Sequence, residues 1–207
     1  EDQYRNGDFL RRWGDYRKCR WPEQLCSRED FVTVSRDSPT PLADFFSRQN
    51  DACIEAFLAS RGRGVRGGSS RTSSPSAGGV KSGATLITFS HFVPRQELCP
   101  EKRFLSEPML TKAIGSAPLE RQIRRLGSDV HVYGHTHIPY DFEVEGVRYI
   151  QWPLGHTAEQ SRQCRRMHEE GPLLVYSHDG WTGGLSPEEP TFWGDYYREQ
   201  PRDVREV

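Results

Sequence analysis

The sequence contains no run of about 18 consecutive apolar residues, so nothing in it reads as a membrane-spanning helix. It has no surplus of one charge either. With 28 Lys and Arg against 29 Asp and Glu, the formal net charge is -1, which favours neither a polyanion nor a membrane surface as partner. Cys-x-x-Cys pairs are absent. The five cysteines (Cys19, Cys26, Cys53, Cys99 and Cys164) are odd in number and dispersed. That usage fits reduced thiols in an intracellular protein, cytoplasmic or organellar, better than a disulfide framework. Apolar residues are also scarce, at 34% of the 207 residues with a mean hydropathy of -0.78. The composition implies a real core diluted by polar segments. The first residue is Glu1, so the chain reads as processed, trimmed or a fragment, with an earlier targeting segment left open. No internal repeat is evident.

What is present falls into four stretches. Residues 1–60 are charged, punctuated by aromatics, and broken by Pro22, Pro39 and Pro41. Their best helix candidate is "PLADFFSRQNDACIEAFLAS". There Leu42, Phe45, Phe46, Cys53, Ile54, Phe57 and Leu58 roughly follow helical periodicity, and Asp44 lies early, where a helix N-terminus favours negative charge. Residues 61–83 are dominated by Gly, Ser and Arg and read as a disordered insertion or linker. Order is expected to resume over residues 84–181. Leu86, Ile87 and Phe89 suit a strand, a helix is predicted from about Pro118 to a stop at Gly127, and Val130, Val132 and Tyr133 suit a second strand. Alternating runs around Glu145-Gly146 predict a hairpin, and "PLLVYSHDGW" predicts one more strand. Residues 182–207, rich in Pro, Glu and Arg, read as an irregular tail. The order strand, helix, strand, hairpin, strand predicts a layered α/β or α+β domain with a substantial sheet.

Three histidines share one context. His91 follows the first strand, and His135 and His137 follow the second within "GHTHIP". In an extended segment, residues i and i+2 project to one side, so His135 and His137 can face one region of space. Neutral imidazole is a common metal ligand, and open α/β sheets build their sites at strand ends. Gly134 is expected to let the chain turn sharply and approach the site closely, and Pro139 to stiffen the loop beyond. The bland alternative is a set of hydrogen-bonded loop histidines.

"GHTHIP" together with the upstream "FSHFVP" resembles the last two sequence blocks of the calcineurin-like metallophosphoesterases. The stretch from about Thr85 to Leu154 looks like the C-terminal half of that domain, and "SHFVPRQELCPEKRFL" followed by "GHTH" and "VRYIQWPL" is closest to a eukaryotic, plant and algal type branch of it. The resemblance implies a β-sandwich flanked by helices, with residues 1–60 as an N-terminal part of the domain and 84–181 as its C-terminal half. It implies two divalent metal ions (Mn, Fe or Zn) held between strand ends. His91 and His135 would bind one ion and His137 the other, and a metal-bound hydroxide would attack a phosphoester substrate. The family's first half also supplies an Asp-x-His block, a Gly-Asp-x-x-Asp block and a Gly-Asn-His block. Neither "NGDFLRR" nor "WGDYRK" has an aspartate three residues after its own, and no Gly-Asn-His occurs. The first-half blocks are therefore expected before residue 1, and this chain by itself is expected to be inactive; loss of catalysis in a degenerate relative is the rival.

Other residues carry weaker signals. His156, in "PLGHT", is a candidate for substrate contact or a surface loop residue. Arg95, Lys102 and Arg103 follow His91, where cations can meet a substrate phosphate or simply remain solvated. His131 alternates with buried strand positions and reads as a packed histidine, Cys99 reads as an inert thiol, and His168 and His178 have no ligand-like context. Two readings from other classes stand beside the enzyme. One is RNA binding through "RGRGVRGGSSR" and the other is an inactive scaffold that keeps the histidine loops for fold.

Overall fold

A computed structural model describes residues 13–14, 18–25, 41–63, 85–160, 171–178 and 184–203. The chain divides into two compact units, Gly7–Ala84 with Pro118–Gly127, and Thr85–Ala117 with Ser128–Val207. The predicted insertion at 61–83 lies outside the described residues from 64 onward; its first three residues end the helix before it.

In the first unit, helix α1 spans Pro41–Arg63 with Asp44 in its first turn. Helix α2, Ala117–Leu126, has an acidic first turn at Glu120 and a basic last turn at Arg124 and Arg125, both favourable to the helix dipole. Arg124 and Glu120 pair at 2.7 Å across one turn. Gln122 is the hub between the helices. Its Nε2 donates to the Ser47 carbonyl at 2.7 Å, and its Oε1 accepts from Asn50 at 3.2 Å. Of the apolar stripe expected on α1, Ile54 is buried, whereas Phe46, Cys53 and Phe57 are exposed. Periodicity located the helix but overstated how much of that face is covered.

The second unit holds a four-stranded mixed sheet in the order β1-β2-β4-β3. Its strands are β1 Ile87–Phe89, β2 Val130–Val132, β3 Tyr140–Val144 and β4 Val147–Gln151. β1, β2 and β4 run parallel, with Phe89 opposite Val132 and Val132 opposite Ile150; β3 is antiparallel to β4. All five residues of β4 are buried, as expected of an inner strand covered on both faces. The hairpin turn lies where the sequence predicts it. Glu145 and Gly146 both have positive φ (51° and 77°), the backbone of a two-residue turn whose twist matches the strands. Among the described residues of the further predicted strand, Tyr176–Ser177 forms β5. It pairs antiparallel with β6, Gly184–Leu185.

The described part of the expected irregular tail, residues 184–203, is instead built into the unit. Helix α4, Phe192–Glu199, follows the single helical turn α3, Thr157–Gln160. Thr191 caps α4, its Oγ1 accepting from the Gly194 N–H at 3.2 Å. Gly194 is required there, because a Cβ would lie 2.6 Å from that hydroxyl and 3.2 Å from the Asp141 carbonyl. The buried Asp141–Arg148 pair, at 2.5 and 2.7 Å, joins β3 to β4. Arg148 also donates to the carbonyls of Ser186 and Pro187, and Asp141 accepts from the Glu189 N–H at 2.8 Å. Arg202 lies 3.6 Å from the Tyr197 ring centroid and donates to the Cys99 carbonyl at 3.0 Å. These bonds are non-local, so the composition of the tail did not reveal them. Among the described residues no helix is long and apolar enough to cross a membrane.

Candidate functional site

Because β1 and β2 are parallel and in register, their C-terminal ends lie side by side. The Ser90 N–H donates to the Val132 carbonyl at 3.0 Å and the Gly134 N–H to the His91 carbonyl at 3.1 Å, which continues the pairing into the loops. This carries His91 and His135 to one another. Nε2 of His91 is 3.0 Å from Nδ1 of His135, with the rings at 80°. His135 Nε2 lies 3.2 Å from the Ala113 carbonyl, which can only accept a hydrogen bond. Nε2 therefore carries the proton, and the Nδ1 lone pair faces His91. A carbonyl that fixes the tautomer in this way is a common support for a ligating histidine.

The sharp turn does not fall on Gly134. It falls on His135 and His137, whose φ values of 78° and 57° put both in the left-handed region that non-glycine residues seldom adopt. Gly134 serves close approach instead, since a Cβ there would lie 3.4 Å from the His91 carbonyl and 3.6 Å from its Nδ1. Gln151, at the end of β4 and 1% exposed, braces the loop. Its Nε2 donates to Thr136 Oγ1 and to the Ile138 carbonyl, both at 2.6 Å, one on each side of His137. Its Oε1 is buried with no hydrogen-bond partner.

His137 faces a different neighbour. Its Nδ1 is 3.1 Å from Oε2 of Glu159, and the His156 ring centroid is 6.3 Å from its own. His156 Nε2 is 3.7 Å from the same oxygen, beyond hydrogen-bonding reach, while the His156 backbone N–H donates to it at 3.0 Å. The structure thus brings together His91 with His135, and His137 with His156. Glu159 and Gln151 were not visible as site residues. Glu159 sits in a short polar segment, and Gln151 is one more residue of an alternating strand. Among the described residues, no group of three or more His, Cys, Asp or Glu side chains is gathered so as to hold a metal ion.

The two arginine candidates belong elsewhere. Arg95 pairs with Glu97 at 3.0 Å and with Glu145 at 2.8 Å. Glu145 is in the turn before β4, which is the end of the parallel strands opposite to the histidine loops. Arg95 is held away from the site by that pair. Arg103 pairs with the buried Glu101 at 3.1 Å and lies 4.7 Å from the Phe104 ring centroid, a packing role beside the C-terminal helix. Cys99 is buried, and burial pushes its thiol up to about 12, so it is unreactive as expected. His131 is a packed histidine. It is 1% exposed, with Nδ1 2.8 Å from Thr88 Oγ1 and Nε2 3.0 Å from Ser90 Oγ, and burial lowers its pKa to about 4. An Asp-x-His triplet, expected only before residue 1, does occur in the chain at Asp129-Val130-His131, and there it is structural. Its aspartate accepts from the Leu86 N–H at 2.8 Å, which joins β2 to the start of β1. His168 lies outside the described residues.

No family model matches this chain, and no curated protein or solved structure compared with it matches either.

Proposed function

We propose that this chain carries the C-terminal histidine loops of a metal-dependent phosphoester hydrolase with the calcineurin-like sandwich fold. The observation that supports the reading most is the meeting of His91 Nε2 and His135 Nδ1 at 3.0 Å, at adjacent ends of parallel strands. Two imidazole nitrogens at that separation can bind one borderline divalent ion with little rearrangement. The Ala113 carbonyl holds His135 in the tautomer such binding requires. His137 serves a second position, with Gln151 bracing its loop on both sides. When bound, a pair of divalent ions supplies Lewis-acid activation of water and neutralises charge on the phosphoryl oxygens. The chain's own residues hold the imidazole donors; the remaining carboxylate and asparagine donors belong to the family's first-half blocks. Mn, Fe and Zn all suit the imidazole donors, and an intracellular compartment suits the dispersed thiols.

Titration of the chain with zinc by calorimetry tests this. One or more ions should bind, with affinity falling at least about tenfold in His91→Ala and in His135→Ala. A longer form with the first-half blocks should hydrolyse an aryl phosphate and lose that activity to a chelator. Zinc binding that is undetectable, or equally strong in both variants, would rule the reading out. The scaffold alternative draws on the same 3.0 Å contact, because a direct imidazole–imidazole hydrogen bond ties the loops together without any metal.

A further inference from the structure

We infer that Glu159 is a positioning residue for His137, holding its imidazole in the tautomer protonated at Nδ1 so that Nε2 is the nitrogen offered to a ligand. The carboxylate oxygens lie 3.1 and 3.4 Å from Nδ1. An ionised carboxylate only accepts hydrogen bonds, so the proton of a neutral imidazole in this pair resides on Nδ1. The lone pair is then on Nε2, in a side chain that is 42% exposed.

Glu159 is itself well held. Its Oε2 accepts from the His156 backbone N–H at 3.0 Å, its own N–H donates to the His156 carbonyl at 2.9 Å, and its side chain is only 20% exposed. The turn that carries it is tied back by Gln160, whose Nε2 donates to the Gly155 carbonyl at 3.0 Å. Gln151 fixes the backbone on both sides of His137 while Glu159 fixes the ring, so loop and side chain are constrained independently.

The consequence is an asymmetry within one short motif. His135 donates from Nε2 to a carbonyl and presents Nδ1, whereas His137 donates from Nδ1 to a carboxylate and presents Nε2. Two histidines separated by one residue therefore offer opposite ring nitrogens, each set by a second group from a different part of the chain. A carboxylate behind an imidazole also fixes the orientation of its ring as a ligand. That last role rests on the metal reading proposed above; the tautomer assignment does not.

Long-range proton–nitrogen NMR of the full chain at pH 8, with the His137 signals assigned by their loss in His137→Ala, decides the matter. The wild type should show Nδ1 protonated and Nε2 bare. Glu159→Gln should keep that pattern, because an amide oxygen still accepts, and Glu159→Ala should move the proton largely to Nε2. Zinc affinity should fall about 10–100-fold in Glu159→Ala and less in Glu159→Gln. An Nε2-protonated wild type, or a proton unmoved by Glu159→Ala, would overturn the inference; a residue that merely stabilised the turn would lower the melting temperature without moving the proton. If the wild type binds no zinc, the metal reading falls while the tautomer result still decides the role of Glu159.

Discussion

At the residue scale, the histidines illustrate how one side chain serves different ends according to its surroundings. His131 is sealed in the sheet between two hydroxyls, and its pKa is lowered from 6.5 to about 4 by burial. The sign of its effect on stability follows directly. Between those values the unfolded chain binds a proton that the folded chain does not, so stability rises with pH. The contribution is complete above about pH 6.5 and is lost as pH falls toward 4, amounting to about 3 kcal/mol. Urea unfolding of wild type and His131→Asn from pH 7.5 to 4 should show an acid-side loss in the wild type that the variant lacks. Parallel pH profiles in the two would mean that His131 is not kept neutral by the fold. The sequence made His131 legible as a packed residue because it alternates with Val130 and Val132. It did not reveal the two hydroxyls, which come from β1 and its end.

At the scale of elements, the position of the loops depends on a crossing of backbones. Val93 and Gly115 form a bridge, and the Val93 N–H donates to the Ile114 carbonyl at 2.9 Å. A Cβ on Gly115 would lie 1.7 Å from the Val93 carbonyl oxygen, a contact no side-chain movement can relieve. The bridge sets the segment that carries the Ala113 carbonyl against the loop that carries His91. Gly115→Ala should therefore cost about 1–3 kcal/mol, by analogy with overpacking in a core. It should also loosen the His91–His135 contact. Thermal melting checks the first effect and imidazole NMR the second; an unchanged melting temperature would refute the close approach. Nothing local marks this glycine, since its neighbours are ordinary and its partner is Val93, in a different segment. Helices α1 and α2 and the hairpin, by contrast, were readable, because a helical stripe and a Glu-Gly turn are local signals.

At the scale of the molecule, the polar cluster around Arg148 determines how much of the C-terminal segment is structured. The side chains of Arg148 and Asp141 are 7% and 0% exposed, and between them they hold Ser186, Pro187 and Glu189. Breaking a buried pair leaves an uncompensated charge, which costs about 3–5 kcal/mol. Arg148→Met should show that loss, together with earlier protease cleavage within residues 184–203. Replacing both partners with apolar residues should recover part of the stability, although the backbone groups they held would remain without partners. Cleavage at the wild-type rate in Arg148→Met would mean that the segment is held by other contacts.

By itself the sequence determined helices α1 and α2 and strands β1 to β4, where the hairpin turns, and that three histidines lie just beyond strand ends. Side-chain periodicity and turn chemistry act over a few residues, so they are written in the order of the chain. Only the tertiary structure decided which groups meet. The parallel register of β1 and β2 joins His91 to His135, while the left-handed backbone at His135 and His137 sends the second histidine toward Glu159. Pairing with Glu145 draws Arg95 to the far end of the sheet, and Arg148 and Arg202 tie down a tail whose composition reads as irregular. These outcomes depend on partners tens of residues apart, matched by register and by the need to pair buried polar groups, and no local pattern encodes them.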